Sequence, residues 1–364
     1  MSRKLTYDSW LFGAAMLIVV VGLVMIYSAS AIIATQRFGT PDYHFITRQI
    51  MWLAGGSVLM LILMHVDLSL LRQPRVIYGS MAAVVLGLIV ALFQSPINGT
   101  HRWIVLPGFQ LQPSEFAKPV IIIFLAWYLS RKEGRINELV STLVPIACVL
   151  ALFAGLILLG RDFGTSAMLL LVAAGMIFAA GVSWRYIAGF AALLLPLAAT
   201  VALNTDYRRD RLLSFLNPEA DPLGKGFQAM QSLIALGTGG FDGLGIGNGR
   251  QKLFFLPEPH TDFIFSIIGE ELGFVGALGL VAVFALLTWR GFRVARDSQD
   301  RFAFYAALGF TLMIAIQALI NISVVLCLLP TKGLPLPLVS YGGSSLLASL
   351  IAVGLLLNFS QQSS

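Results

Sequence analysis

The chain has 364 residues, of which 57% are hydrophobic and 12% are charged, and its mean hydropathy is +0.84. Soluble globular domains carry roughly twice that charged fraction, so this composition excludes an ordinary soluble domain. The net charge of +6 does not call for a nucleic-acid partner, because basic residues in membrane proteins mostly mark cytoplasmic loops.

Apolar runs long enough to cross a hydrocarbon layer of ~30 Å recur along the whole length. The first run is too long for a signal peptide and lacks a clear cleavage site, so we expect it to be a retained span. We therefore predict an all-α polytopic membrane protein with a single transmembrane domain over residues 1–364. Its ten predicted spans are 10–33, 46–66, 76–94, 114–130, 143–159, 164–181, 185–203, 262–288, 303–327 and 336–359.

The positions of Lys and Arg predict the orientation. With the N-terminus inside, the inner segments hold about twelve basic residues and the short outer loops about four, which places both termini in the cytoplasm. Segment 204–261 is then a large extracytoplasmic loop, and loops of that length are usually functional. Within it, residues 227–236 are apolar on one side and predict a short amphipathic helix at the membrane interface. The glycine-rich stretch 237–249 is either a flexible connection or a substrate-lining loop.

The candidate chemistry lies in the sequence PEPHTDFIF (257–265), at the start of the eighth span. A carboxylate at the mouth of a span is energetically expensive and is usually there for a purpose. We predict that Asp262 faces a polar cavity near the outer surface and acts on a lipid-linked substrate. His260 is either a base or, more commonly for a lone histidine, a hydrogen-bonding spacer. Glu258, between two prolines, is either part of a rigid turn or a positioned carboxylate.

Further charged residues lie at or near span ends, and two of them, Glu270 and Glu271, lie deeper in the eighth span, about two turns past Asp262. Singly, each is more often a snorkelling or structural group than a catalytic one. Together, nearly all fall on the predicted outer side, which indicates a hydrated cavity able to hold an anionic headgroup. Glu115 and Lys118 are three residues apart on one helical face and are expected to pair. The others are Arg48, Arg161, Asp162, Glu270 and Glu271.

Six stretches together resemble the SEDS family of bacterial cell-wall proteins, whose members include FtsW, RodA and SpoVE. They occur in the family's order and cover nearly the whole chain. They are IYSAS (26–30), HRWIVLPGFQLQPSEFAK (101–118), DFGT (162–165), DPLGKGFQAMQS (221–232), GNGRQKLFFLPEPHTDFIFSIIGEELGF (247–274) and LPTKGLPLPLVSYGGSSL (329–346).

This resemblance implies ten transmembrane helices, with the large outer loop between the seventh and eighth, and polymerisation of lipid II into glycan strands. The family's essential aspartate falls on Asp262. Two motifs, GNGRQKL and LPTKGLPLPLVSYGGSS, favour an FtsW-like protein of cell division over a RodA-like polymerase of cell elongation. Residues expected to bind substrate in the same cavity are Arg48, Arg102, Glu115, Lys118, Asp162, Glu258, His260, Thr261, Lys332 and Ser340. In place of the family's usual proline, Arg161 precedes Asp162, which favours a structural role for that aspartate.

Polymerisation needs a base for the acceptor hydroxyl and positive charge for the departing diphosphate. We expect Asp262 to supply the first, and Arg48, Arg102 and Lys118 the second. A divalent cation such as Mg²⁺ or Mn²⁺, held by carboxylates, stays open as a further source of positive charge. Two other functions stay open, a lipid II flippase and a non-catalytic scaffold. The resemblance also implies a class B penicillin-binding protein partner, other divisome or elongasome membrane proteins, and a site on the outer side of the bacterial plasma membrane.

Overall fold

The computed structural model describes residues 7–97, 99–107, 109–186, 188–189, 192, 226–330 and 333–362. A two-stranded antiparallel hairpin, β1 (Ile104–Leu106) and β2 (Phe109–Leu111), interrupts a series of helices. The helices are α1 (Ser9–Phe38), α2 (His44–His65), α3 (Leu68–Leu71), α4 (Pro74–Leu92), α5 (Pro113–Arg131), α6 (Val144–Leu159), α7 (Phe163–Ala179), α8 (Phe227–Gly239), α9 (Ile264–Asp297), α10 (Arg301–Val325) and α11 (Gly343–Gln362). Single turns of 3₁₀ and π helix, Glu133–Arg135 and Leu139–Leu143, precede α6.

The all-α polytopic prediction is confirmed. Nine of the ten predicted spans coincide with long helices, and the remaining span, 185–203, lies almost entirely outside the described residues. Within the described part of the chain, seven helices are both long and apolar enough to cross a membrane. The predicted amphipathic segment 227–236 forms α8. The hairpin β1–β2 was not predicted, because its strands are only three residues long.

Two span boundaries were wrong. The last span was predicted to begin at residue 336, but α11 begins at Gly343. Pro335 and Pro337 lack the backbone N–H that a helix interior needs, so the chain before α11 stays non-helical. The eighth span, predicted as 262–288, continues to Asp297 and is broken at Gly273, where φ is +65° and ψ is −167°.

Helix α11 forms the centre of the bundle, and nearly all of its side chains are buried. It packs closely against α2, because glycines allow the two backbones to approach. A Cβ on Gly354 would lie 2.7 Å from the Met60 carbonyl oxygen. Farther along, the Asn358 amide donates to the carbonyl oxygens of Leu63 and Val66 at 2.7 Å each. These bonds satisfy carbonyl groups at the C-terminal end of α2, which have no partner within the helix.

The two ends of the bundle differ in their polar contacts. At the end where α1 begins, Asp8 caps that helix and accepts a hydrogen bond from Arg290 Nε at 2.8 Å. The Arg72–Asp300 ion pair, at 2.7 Å, joins the start of α10 to the segment after α3. The opposite end holds the start of the broken helix α9. The break divides α9 into a stub, Ile264 to Leu272, and a long second part.

The backbone at Gly273 provides a test of this break. Gly273→Ala should lower the unfolding temperature by several degrees, because that conformation is open essentially to glycine alone and costs another residue about 1–3 kcal/mol. The new Cβ would also lie 2.3 Å from Gly243 N and 2.5 Å from Phe241 O. The measurement is thermal unfolding of the purified protein in detergent.

The matched control is Gly279→Ala in the same helix, where a Cβ would meet no atom within 4 Å. That variant should unfold at or slightly above the wild-type temperature, because alanine is the better helix former. Equal unfolding temperatures for the two variants would contradict the break at Gly273.

Candidate active site

Asp262 lies in the turn directly before α9 and is partly exposed. Its carbonyl oxygen accepts a hydrogen bond from the Asn321 side-chain amide of α10 at 2.8 Å. A Cβ built on Gly333 would lie 3.0 Å from Asp262 Oδ2 and 3.9 Å from both terminal nitrogens of Arg102. The carboxylate of Asp262 and the guanidinium of Arg102 therefore border the same small space beside Gly333.

The backbone on either side of Asp262 is supported by the segment before α11. The Ser340 hydroxyl donates to the Thr261 carbonyl oxygen at 2.5 Å and accepts from Leu336 N at 2.8 Å. Tyr341 N donates to the His260 carbonyl oxygen at 2.9 Å. Ser340, predicted to bind substrate, is buried and its hydroxyl is engaged with the backbone, so in this arrangement it positions the Asp262 turn.

His260 is buried between the rings of Phe45 and Tyr341, with centroid distances of 4.8 and 5.6 Å. Its Nδ1 has no hydrogen-bond partner among the described residues. Burial, together with the smaller effect of the positive charge of Arg37, lowers the pKa of the imidazole to about 4. His260 is therefore neutral near pH 7, and its position favours the packing role over the catalytic one.

Glu258 has a left-handed backbone, with φ at +53°, and an exposed side chain. Its carbonyl oxygen accepts hydrogen bonds from Thr261 N at 3.3 Å and from the Thr261 hydroxyl at 3.2 Å. Of the two alternatives for Glu258, this geometry matches the rigid turn. The Thr261 hydroxyl, proposed for substrate, is used within the same turn.

The predicted pairing of Glu115 with Lys118 is present at the start of α5. Lys118 Nζ lies 2.7 Å from Glu115 Oε2 and donates to Gln317 Oε1 at 2.9 Å. Gln317 Nε2 donates to the Pro335 carbonyl oxygen at 2.8 Å. Both charged side chains are at most 2% exposed. Because the ammonium group is already paired inside the bundle, it holds α5 and α10 against the segment before α11.

Asp162 is mainly a helix-capping residue. One oxygen accepts from Thr165 N at 3.1 Å and caps α7, while the other accepts from Gln112 Nε2 at 3.0 Å and Ser114 Oγ at 3.1 Å. The nearest Arg102 nitrogen is 3.9 Å from Asp162. The carboxylate thus joins α7 to the start of α5 and helps to orient the guanidinium of Arg102 near Asp262.

The remaining predicted residues have different settings. Arg48 is exposed near the start of α2 and lies beside the Tyr341 hydroxyl. Burial raises the pKa of the Tyr341 phenol, and the charge of Arg48 opposes that rise. Lys332 lies outside the described residues.

Among the residues that the structure describes, no three His, Cys, Asp or Glu side chains converge as a metal site would require.

Three amide side chains that support the site were not predicted. Asn321 and Gln317 lie within the apolar run of α10, and Gln49 lies near the start of α2. Gln49 donates to the Ser340 carbonyl oxygen at 3.3 Å and accepts from Gly342 N at 3.2 Å. The sequence feature that could have identified these residues is an uncharged amide side chain within an apolar span, because buried polar groups in a membrane require partners.

Comparisons with known proteins identify the family. A family model described as "Cell cycle protein", covering FtsW, RodA and SpoVE, matches residues 8–364. The "Probable peptidoglycan glycosyltransferase FtsW" of Trichlorobacter lovleyi is 43% identical over 360 residues, covering 98% of this chain and 94% of that protein.

Two solved structures have the same fold. One, described as "Structural coordination of polymerization and crosslinking by a peptidoglycan synthase complex", aligns with a TM-score of 0.81 at 32% identity, over 98% of each chain. The crystal structure of the rod shape determining protein RodA of Thermus thermophilus aligns with a TM-score of 0.72 at 30% identity, over 98% of this chain and 97% of that one.

The fold and the site define a multi-pass protein of the bacterial inner membrane in which a carboxylate and a guanidinium group border one space beside Gly333, at the start of a broken helix. The chain belongs to the FtsW, RodA and SpoVE family of cell cycle proteins. The resemblance to the SEDS family is thereby confirmed.

The low pKa of His260 predicts how stability depends on pH. Between about pH 6.5 and pH 4 the unfolded chain binds a proton at this position and the folded protein does not, so stability should fall as the pH falls through that range. The loss attributable to His260 should reach roughly 3 kcal/mol. It can be measured by thermal unfolding in detergent at constant ionic strength.

His260→Phe is the matched variant, because the phenyl ring replaces the imidazole between the rings of Phe45 and Tyr341 and carries no titratable group. It should keep wild-type stability at pH 7.5 and lose less stability on acidification. Identical pH profiles for the two proteins would show that His260 is not the buried neutral group.

Proposed function

We propose that this protein is an FtsW-like peptidoglycan glycosyltransferase, which polymerises lipid II into glycan strands during cell division. The observation that carries the proposal is the placement of Asp262, a partly exposed carboxylate that borders the same space as a guanidinium group at one end of the helical bundle. The printed names of the Trichlorobacter lovleyi relative and of the peptidoglycan synthase complex support the same activity.

In this mechanism Asp262 is the general base. Its carboxylate takes the proton from the acceptor sugar hydroxyl, which then attacks the anomeric carbon of the donor and expels a lipid diphosphate. An α-linked donor giving a β-linked product requires a single inverting displacement, so no covalent sugar intermediate is needed.

Among the residues that the structure describes, Arg102 is also the best-placed cation for the diphosphate. It is one-quarter exposed and borders the space that Asp262 borders. Lys118, considered for the same role, is buried and paired with Glu115. We therefore assign stabilisation of the leaving group to Arg102 and to the exposed Arg48, and assign Lys118 to support of the site.

We further propose that the site faces the extracytoplasmic side and that both termini are cytoplasmic. Asp262 lies at the opposite end of the bundle from Asp8, the cap of α1. The positive-inside rule places the end rich in arginine in the cytoplasm. That end, shared with Asp8, holds Arg72, Arg290, Arg293, Arg296 and Arg301.

The partner is proposed to be a class B penicillin-binding protein, working with divisome membrane proteins. Support comes from the solved relative, described as a complex that coordinates polymerisation and crosslinking. A transpeptidase is the enzyme that would crosslink newly made strands.

Asp262→Asn tests the proposed base. The amide keeps the shape of the side chain but cannot accept the proton, so we expect polymer from fluorescent lipid II to fall at least about 100-fold. Products are separated on gels, with the purified protein in detergent or liposomes. The control is Asp242→Asn, at an exposed position in the same large loop, which should polymerise like the wild type.

Near-normal polymer from Asp262→Asn would refute the mechanism. If that variant also translocates lipid II across liposomes as the wild type does, while neither protein makes polymer, the flippase alternative replaces the glycosyltransferase.

A chelator tests the cation. The described residues do not form a three-ligand metal site, so any Mg²⁺ or Mn²⁺ should be held largely by the substrate diphosphate. We expect EDTA to slow polymerisation and added Mg²⁺ or Mn²⁺ to restore it, while the unfolding temperature of the protein without substrate stays the same. A fall in that temperature on chelation would contradict a substrate-held cation.

A further inference from the structure

A second cluster of buried charges lies away from Asp262, where α1 meets the broken helix α9. Lys252 Nζ lies 2.6 Å from Glu271 Oε1, 2.9 Å from Ser28 Oγ and 2.7 Å from the Gly247 carbonyl oxygen. The Ser28 hydroxyl also lies 2.7 to 2.8 Å from both oxygens of Glu271. The Lys252 and Glu271 side chains are at most 3% exposed, so the cluster is shielded from water.

Backbone groups of the glycine-rich loop complete this cluster. Gly247 N and Gly249 N donate to Glu271 at 3.0 and 3.3 Å. The neighbouring Glu270 carboxylate accepts from Arg250 N at 2.7 Å and from Gln251 N at 3.2 Å. The two carboxylates thus hold residues 247–251 against α9. Of the two sequence alternatives for the stretch 237–249, a flexible connection does not match this geometry.

Close packing requires glycine in this loop. A Cβ on Gly249 would lie 2.9 Å from an oxygen of Glu270 and 2.9 Å from an oxygen of Glu271. A Cβ on Gly243 would lie 2.3 Å from the Glu271 carbonyl oxygen. The loop therefore follows the surface of α9 at backbone distance, from Gly243 to the start of the chain segment that leads to Asp262.

The location of the cluster on α9 links it to the site. Asp262 precedes the stub of α9, and Glu271 lies near its other end, next to the break at Gly273. The eight helical residues from Ile264 to Glu271 form a rigid rod of about 12 Å. Lys252 also begins the segment 252–262, whose far end is the Asp262 turn. One ion pair therefore restrains both the rod and the segment that meet at Asp262.

We propose that Lys252, held by Glu271 and Ser28, is a positioning residue for the glycosyl transfer. This inference rests on the proposed function. The cluster prevents the stub from tilting at Gly273, and it keeps the Asp262 carboxylate where it can take the proton from the acceptor hydroxyl. A displacement of about 1 Å at a reacting group can cost about 100-fold in rate, so a cluster that contacts no substrate can still control turnover.

Lys252→Met is the primary test, because methionine keeps an unbranched apolar side chain and removes the charge. The variant leaves Glu271 as an unpaired buried carboxylate, so its unfolding temperature should fall. Its kcat for lipid II polymerisation should fall between about 10-fold and about 100-fold. Its KM should stay within about twofold of the wild-type value, because the groups that bind substrate remain in place.

A double variant separates positioning from simple stability. Lys252→Met with Glu271→Gln removes both charges, so no unpaired carboxylate remains and the unfolding temperature should recover at least half of the loss. The Lys252 ammonium that ties the segment 252–262 to Glu271 and Ser28 is still absent, so kcat should stay at least about 10-fold below the wild-type value. A residue that acted only through stability would recover kcat together with the unfolding temperature.

The matched control is a second ion pair on α9, which Arg290 makes with Asp8, the residue that caps α1. Arg290 lies beyond the Gly273 break and at the far end of the bundle. Arg290→Met should lower the unfolding temperature in a similar way, and kcat should change less than about twofold.

The outcomes distinguish this inference from the proposed function. If wild-type protein polymerises lipid II and Lys252→Met does so with an unchanged kcat, the positioning role is wrong and the polymerase stands. Recovery of kcat in the double variant would also refute the positioning role of Lys252. If the wild type makes no polymer under conditions in which a known polymerase does, the proposed function itself has failed.

Discussion

The arrangement depends on one constraint: every polar group inside a bilayer-spanning bundle must find a partner within the protein. Two non-helical segments run through this bundle, the one ending at Asp262 and the one before α11. Their backbone groups are paired by the helix side chains of Asn321, Gln317 and Gln49, and by Ser340 of the segment before α11. These contacts allow an irregular chain to hold a carboxylate at one end of an apolar core.

The same constraint divides the charged residues into two kinds. Glu115 with Lys118 and Glu271 with Lys252 are buried pairs that hold helices and loops together. Asp262 is only partly buried, which is the setting that a group exchanging protons with a substrate requires. The chemistry that we propose therefore depends on a few partly exposed groups, and the larger number of buried charges determines where those groups lie.

Much of this architecture was accessible from sequence patterns. Apolar runs of sufficient length predicted nine helices that the structure describes, and the spacing of Glu115 and Lys118 predicted their pairing. The motif around Asp262 was recognised because a carboxylate at the mouth of a span is expensive. The start of α11 and the break at Gly273 were missed, since hydropathy averages over a window and does not register where a backbone departs from the helix.

By itself, the sequence determined the class of protein, the segments that enter the membrane and the candidate aspartate, because these follow from local composition and from motifs. Only the tertiary structure decided which charges meet. It paired Lys252 with Glu271 and with Ser28 of α1, which lies more than two hundred residues away in the chain, and it made Asp162 a helix cap. Contacts of this kind depend on how helices pack against one another, and no periodicity within a single segment records that packing.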